Sequence, residues 1–179
     1  MNAARPVAIA NRHPRLRLDR RALTRAIHTL DAHFCPAPSE EIPPSDKSKV
    51  GNRKSKIGPG ELSLVFLTDA ALAQLHADFL ADPAPTDVIT FAGDPAHGTA
   101  GEICLSVDAA LRHVRALAPR PSPLAFSTEL TLYVVHGWLH LAGYDDLQPA
   151  KKRQMRRAES RAMRLLQSFG GLPHFTLRR

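Results

Sequence analysis

The sequence predicts a single α+β domain in which a small mixed sheet packs against a buried helix carrying candidate metal ligands. Three observations lead to it. At 179 residues the chain suffices for one core of the usual ~100–150-residue size and is short for two. Stretches of alternating or β-branched apolar residues are interspersed with stretches of helical spacing, as expected of strands mixed with helices. Residues 128–143, "TELTLYVVHGWLHLAG", are apolar on almost every side and include two histidines, which suits a helix inside the core rather than on its surface.

The elements follow in order. "PVAIA" at residues 6–10 reads as a short strand. Leu23, Ile27, Leu30 and Phe34 then recur at helical spacing behind Asp19, a good N-cap. Residues 36–60 are rich in Pro, Ser, Lys and Gly and poor in apolar side chains. That composition buries too little to offset its ordering entropy, so an inserted, mobile, basic loop is expected. "ELSLVFLTD" is a strand running into a Thr-Asp helix start, and "ALAQLHADFL" continues as a short helix. "TDVITFAGD" is a further strand, and "GEICLSVDAALRHVRAL" turns from strand to helix near Ser106 or Val107. "PRPSPLAFS" reads as a loop before the buried helix, which begins at Thr128 and stops at Gly143. Residues 149–168 form a last, basic helix, with Met155, Ala158, Ala162, Leu165 and Leu166 inward and arginines outward. No internal repeat is seen.

Composition narrows the function classes. No stretch is long and apolar enough to span a bilayer or to serve as a secretory leader. Cys35 and Cys104 are the only cysteines and lack CxxC spacing, which argues against a disulfide framework or thiolate metal site and for a reducing cytoplasm. The net charge of +7 is unevenly spread: residues 1–60 carry +7, 61–150 carry −8 and 151–179 carry +8. Basic flanks around an acidic middle suit a polyanionic partner at the ends and a cation in the middle.

The middle holds the chemistry. In "VVHGWLHLAGYDD", His136 and His140 stand four apart, so on a helix both imidazoles leave the same face one turn apart and can grip one metal. A helix ending at Gly143 lets the chain fold back to present a carboxylate. The spacing HxxxHxxGxxD selects Asp146, with Asp145 the neighbouring alternative. Two imidazoles and a carboxylate suit one zinc ion per chain, leaving a fourth position for water. The metzincin peptidases carry a glutamate after the first histidine as general base. Gly137 stands there in this chain and takes no proton, which disfavours that mechanism of peptide hydrolysis.

These residues carry a resemblance. "HGWLHLAGYDD" closely resembles the HGxLHLxGYDH signature of the YbeY family of zinc-dependent endoribonucleases, "PTDVITF" resembles that family's PTDVLSF strand, and "GEICLS" its GDIxIx strand. The match runs from about residue 61 to residue 170. It implies His136 and His140 as zinc ligands, catalysis by His136, His140 and Asp146 through a water on the metal, ribosomal RNA as substrate, and a cytoplasmic, ribosome-associated role.

Two positions depart from the family pattern. Asp146 stands where the family has a third histidine, a tolerable ligand exchange. Leu80 stands where the family usually has arginine, which removes a cation able to steady phosphate charge. A substitute must come from the Lys47 to Lys56 segment, Arg112, Arg115 or the C-terminal helix. In that helix Lys151, Lys152, Arg153, Arg156 and Arg157 are the expected RNA-binding residues, spaced to track a phosphate backbone with little sequence preference. Trp138 is expected in the core rather than on a stacking surface. The leading expectation is a metal-dependent single-strand endoribonuclease of ribosomal RNA maturation. The alternatives are a metal-stabilised RNA-binding assembly factor without cleavage and, more weakly, a zinc metallopeptidase.

Overall fold

A computed structural model describes residues 4–35, 57–80, 86–118 and 120–178. The expected basic segment at residues 36–56 lies outside them, as do residues 81–85 of the stretch before the PTDV motif. A four-stranded sheet is formed by β1 (Val7–Asn11), β3 (Glu61–Leu67), β5 (Thr99–Ser106) and β4 (Val88–Ala92) in that spatial order. β1, β3 and β5 run parallel and β4 runs antiparallel to β5, so the sheet is mixed as expected. A second, two-stranded sheet pairs β2 (Leu16–Leu18) with β6 (Phe175–Leu177).

The two-residue alternation of the strands decides what covers each face. Leu62, Leu64, Phe66, Ile103 and Leu105 point into the main core, where they meet α1 (Arg20–His33) and α4 (Pro123–Leu141). Leu67, Ile89 and Cys104 point the other way and meet Leu72 of α2 (Asp69–Leu80) in a smaller cluster. α3 (Val107–Leu117) leaves β5 directly behind the N-cap Ser106, whose hydroxyl accepts from the Ala109 N–H. α5 (Pro149–Ser168) packs on α4 and α1 through Met155, Ala158, Ala162 and Leu166. Its opposite face carries the exposed basic residues, and Leu165 is only partly buried. Trp138 is fully buried and donates its indole N–H to Asp31 at 3.1 Å.

Two expectations need correction, and two short strands had no expected counterpart. α4 begins at Pro123, five residues before the expected Thr128, because "SP" supplies both an N-cap and a first-turn proline: the Ser122 hydroxyl accepts from Ala125 N–H at 3.1 Å. Residues within the expected loop are therefore core, and Ser127 exchanges two hydrogen bonds with the Phe175 backbone at 3.0 and 3.1 Å. Residues 57–60 belong to the folded domain and not to the expected insertion: Ile57 is buried in the main core and Arg5 donates to the Gly58 carbonyl at 3.0 Å. The three-residue strands β2 and β6 went unanticipated, being too short to show a period. Among the described residues no helix is long and apolar enough to cross a membrane.

Candidate metal centre

α4 supplies the first two donors. Its face against the sheet is the Gly137 side, where an added Cβ would lie 2.4 Å from Ile103 Cγ2 and 3.2 Å from Val88 Cγ1. Glycine is thus required for the helix to approach β4 and β5, and no carboxylate can stand beside the first histidine. His136 and His140 leave a different face, their Nε2 atoms 2.9 Å apart. α4 ends at Leu141, Gly143 takes a φ of 97°, and the reversed chain hydrogen-bonds back onto it, Gly143 N–H to His140 and Tyr144 N–H to Leu139. That turn sets Asp146 Oδ1 3.7 Å from His140 Nε2.

The three donor residues offer ligand atoms that all lie within 4.8 Å of one another. Asp145 is engaged elsewhere. Its Oδ2 takes Lys151 Nζ at 2.7 Å, its Oδ1 the Leu147 N–H at 2.9 Å, and these bonds lower its pKa.

The other nitrogen of each imidazole fixes what its Nε2 can do. His136 Nδ1–H donates to Glu159 Oε1 at 2.7 Å, and His140 Nδ1–H donates to the Tyr144 carbonyl at 3.1 Å. Both partners are acceptors, so both Nε2 lone pairs turn toward the same point. Two bare nitrogens at that separation repel unless a cation lies between them, and either a proton or a metal ion meets the need. The donor set and its outer hydrogen bonds therefore fit a zinc-type ion. Burial disfavours protonation of both rings. The Glu159 carboxylate outweighs this at His136, whose pKa is raised, while at His140 burial and the charge of His136 together lower it.

Glu159 escaped the sequence reading. The available signal was its isolation, since it is the one acidic residue among residues 151–179. Of the basic residues expected to meet RNA, Lys152 and Arg156 line a cleft of about 230 Å³ that opens beside His136 and Asp146. Lys151 is paired with Asp145, and Arg153 and Arg157 are exposed on α5 away from the cleft lining. Of the other candidate substitutes for the missing arginine, Arg112 is held by the Asp69 carboxylate.

The family model described as Endoribonuclease YbeY matches residues 45–167. A protein of Chlamydia abortus named Endoribonuclease YbeY is 39% identical over 116 residues, 62% of this chain and 72% of that protein. One of the same name from Porphyromonas gingivalis is 34% identical over 112 residues, 63% and 71% of the respective lengths. A Thermotoga maritima protein solved in solution superposes with a TM-score of 0.52 at 21% identity, covering 91% of this chain and 90% of its own, a likeness of fold. With the model spanning more than half its residues, the chain belongs to the YbeY family.

Proposed function

We propose that this protein is a zinc-dependent endoribonuclease that cuts single-stranded ribosomal RNA in the cytoplasm, in association with ribosomal particles. The relatives' name supports the endoribonuclease activity. The observation that carries the metal dependence is the convergence of His136 Nε2, His140 Nε2 and the Asp146 carboxylate beside a cleft lined by two cations.

His136, His140 and Asp146 would hold the ion, which when bound supplies Lewis acidity toward a phosphate oxygen and an acidified water near neutral pH. The chain's own residues do the rest. Glu159 and the Tyr144 carbonyl hold the two imidazoles in the ligating tautomer. Lys152 and Arg156 draw the phosphate backbone into the cleft and neutralise part of its charge, taking the place of the family arginine that Leu80 lacks. Lys151, Arg153 and Arg157 extend the basic surface outward along α5. Gly137, packed on the sheet, leaves no carboxylate where a peptidase of similar ligand spacing keeps its base.

The substrate class is tested by incubating the zinc-supplemented protein and its His140→Ala variant with a ribosomal RNA precursor and, in parallel, with a peptide library. Cleavage of RNA alone, lost in the variant, is expected. Peptide cleavage would overturn the substrate, and RNA binding without any cleavage would favour an assembly factor.

A further inference from the structure

The cleft beside the metal group has two unlike walls. On the α5 side Lys152 and Arg156 stand with Met155 and Glu159, the Glu159 carboxylate being taken up by His136 Nδ1–H. On the α4 side Glu129, Leu132, Tyr133 and His136 are spaced to share one helical face, and all four line the cleft. Glu129 lies seven residues before His136, ~10.5 Å along the axis. Tyr133 follows Glu129 one turn on along the same face, and His113 Nε2 lies 3.7 Å from the Glu129 Oε1. Asp87 adds a second carboxylate to this end. The cleft does not close there, because a neighbouring depression of about 400 Å³ shares Asp87, His113 and Tyr133 with it. A strand can therefore run on past these residues.

Carboxylates repel phosphate, so this wall is unsuited to the backbone of a polyanion. What it can accept is a neutral hydrogen-bond donor, which a nucleotide offers either on its base or on its ribose. Base donors differ from one base to the next, and of the three rings lining the cleft, Tyr133, His113 and His136, the two imidazoles face Glu129 and the candidate metal group, which leaves too little for a stacking platform that would splay and read bases. The ribose 2′-hydroxyl is present at every position. Glu129 is well placed to take it: its side chain is 15% exposed, open on the cleft side, and a carboxylate has about four acceptor positions. A partly desolvated carboxylate gains from an additional donor, and a carboxylate that accepts from a ribose hydroxyl is an established recognition device in dinucleotide sites.

We infer that Lys152, Arg156 and Glu129 form a charge-segregated subsite for one ribonucleotide beside the metal group, the cations taking its phosphate and Glu129 accepting a hydrogen bond from its 2′-hydroxyl. The inference rests on the endoribonuclease reading and goes beyond it by assigning the residue that distinguishes RNA from DNA.

The test is equilibrium binding of a labelled single-stranded ribo-oligonucleotide and its deoxyribo counterpart of matching sequence to the full chain, by fluorescence anisotropy, once with chelator and once with zinc. The wild type should prefer RNA by about tenfold, the effect of one good hydrogen bond to a charged group. Glu129→Ala should bring the two affinities to within about twofold of each other. Glu129→Gln keeps the shape and one acceptor and should fall between, so the test survives should the alanine variant fold poorly. Lys152→Ala and Arg156→Ala should weaken RNA and DNA alike and each flatten the salt dependence by about one ion. Wild-type protein that binds neither strand would sink the endoribonuclease reading itself. RNA binding with no preference over DNA, or a preference that survives both Glu129 variants or follows base identity instead, would overturn the subsite and leave that reading standing.

Discussion

Replacing Glu159 by Gln isolates what an outer carboxylate does for an imidazole proposed to bind metal. The Glu159 Oε1 to His136 Nδ1 contact at 2.7 Å has the length of a charge-assisted hydrogen bond. It orients the ring, fixes the proton on Nδ1 and makes Nε2 a stronger donor. Loss of such a partner commonly weakens metal binding by ~10–100-fold, or ~1.4–2.7 kcal/mol. The same carboxylate also raises the His136 pKa against the effect of burial, so it strengthens the proton that competes with the metal. The two effects separate with pH. In alkaline buffer proton competition vanishes and the orienting effect stands alone, so Glu159→Gln should bind zinc at least tenfold more weakly in a competition titration against a chromophoric chelator. As pH falls through the imidazole range, the wild type should lose affinity first and the gap should narrow. Equal affinities in alkaline buffer, or a gap that widens on acidification, would refute the assignment of Glu159 as the orienting group.

Other outcomes follow from the same geometry. Asp146→Ala should lower zinc stoichiometry or affinity markedly more than Asp145→Ala, since Asp145 is engaged with Lys151 and Leu147 N–H; elemental analysis of the two variants checks this, and the reverse order would mean the wrong aspartate was assigned. Gly137→Ala should destabilise the fold by ~1–3 kcal/mol despite alanine's better helix propensity of up to ~1 kcal/mol, because three branched side chains lie within 3.3 Å of the new methyl; an unchanged or raised melting temperature would show that β4 and β5 yield. In chelator, the raised pKa of His136 makes its pair with Glu159 stabilising at low pH. That contribution is present below the unfolded-state value and lost as pH rises through the folded one. With zinc the sign reverses, because ligation requires the neutral ring, and thermal melts across the imidazole range with and without the ion read both slopes.

Much of this arrangement could be read from the chain because local rules and tertiary demands coincide there. The strand at residues 61–67 alternates buried and less buried side chains as its sequence suggests, and Asp19 caps α1 through the Ala22 N–H. The histidine pair was visible because a spacing of four on a helix is a geometric statement. What escaped depended on partners distant in sequence. Glu159 meets His136 across 23 positions and Glu129 meets His113 across 16, and no local period announces such a meeting. The early start of α4 was missed for a different reason: "PRPSP" carries three prolines and reads as a breaker, although its last Ser-Pro is a helix start. Asp145 and Asp146 are alike in type; the spacing favoured Asp146, and the turn at Gly143 sends it toward His140 and Asp145 toward Lys151.

The most direct test of the central claim is metal add-back. Protein stripped with chelator is titrated with zinc while cleavage of a single-stranded ribosomal RNA fragment is followed alongside metal content. The account predicts no cutting by the stripped protein, activity that rises with zinc and saturates at about one ion per chain, and no recovery at any zinc level in His140→Ala. Cutting that persists in the stripped protein, or that returns in His140→Ala, would contradict it.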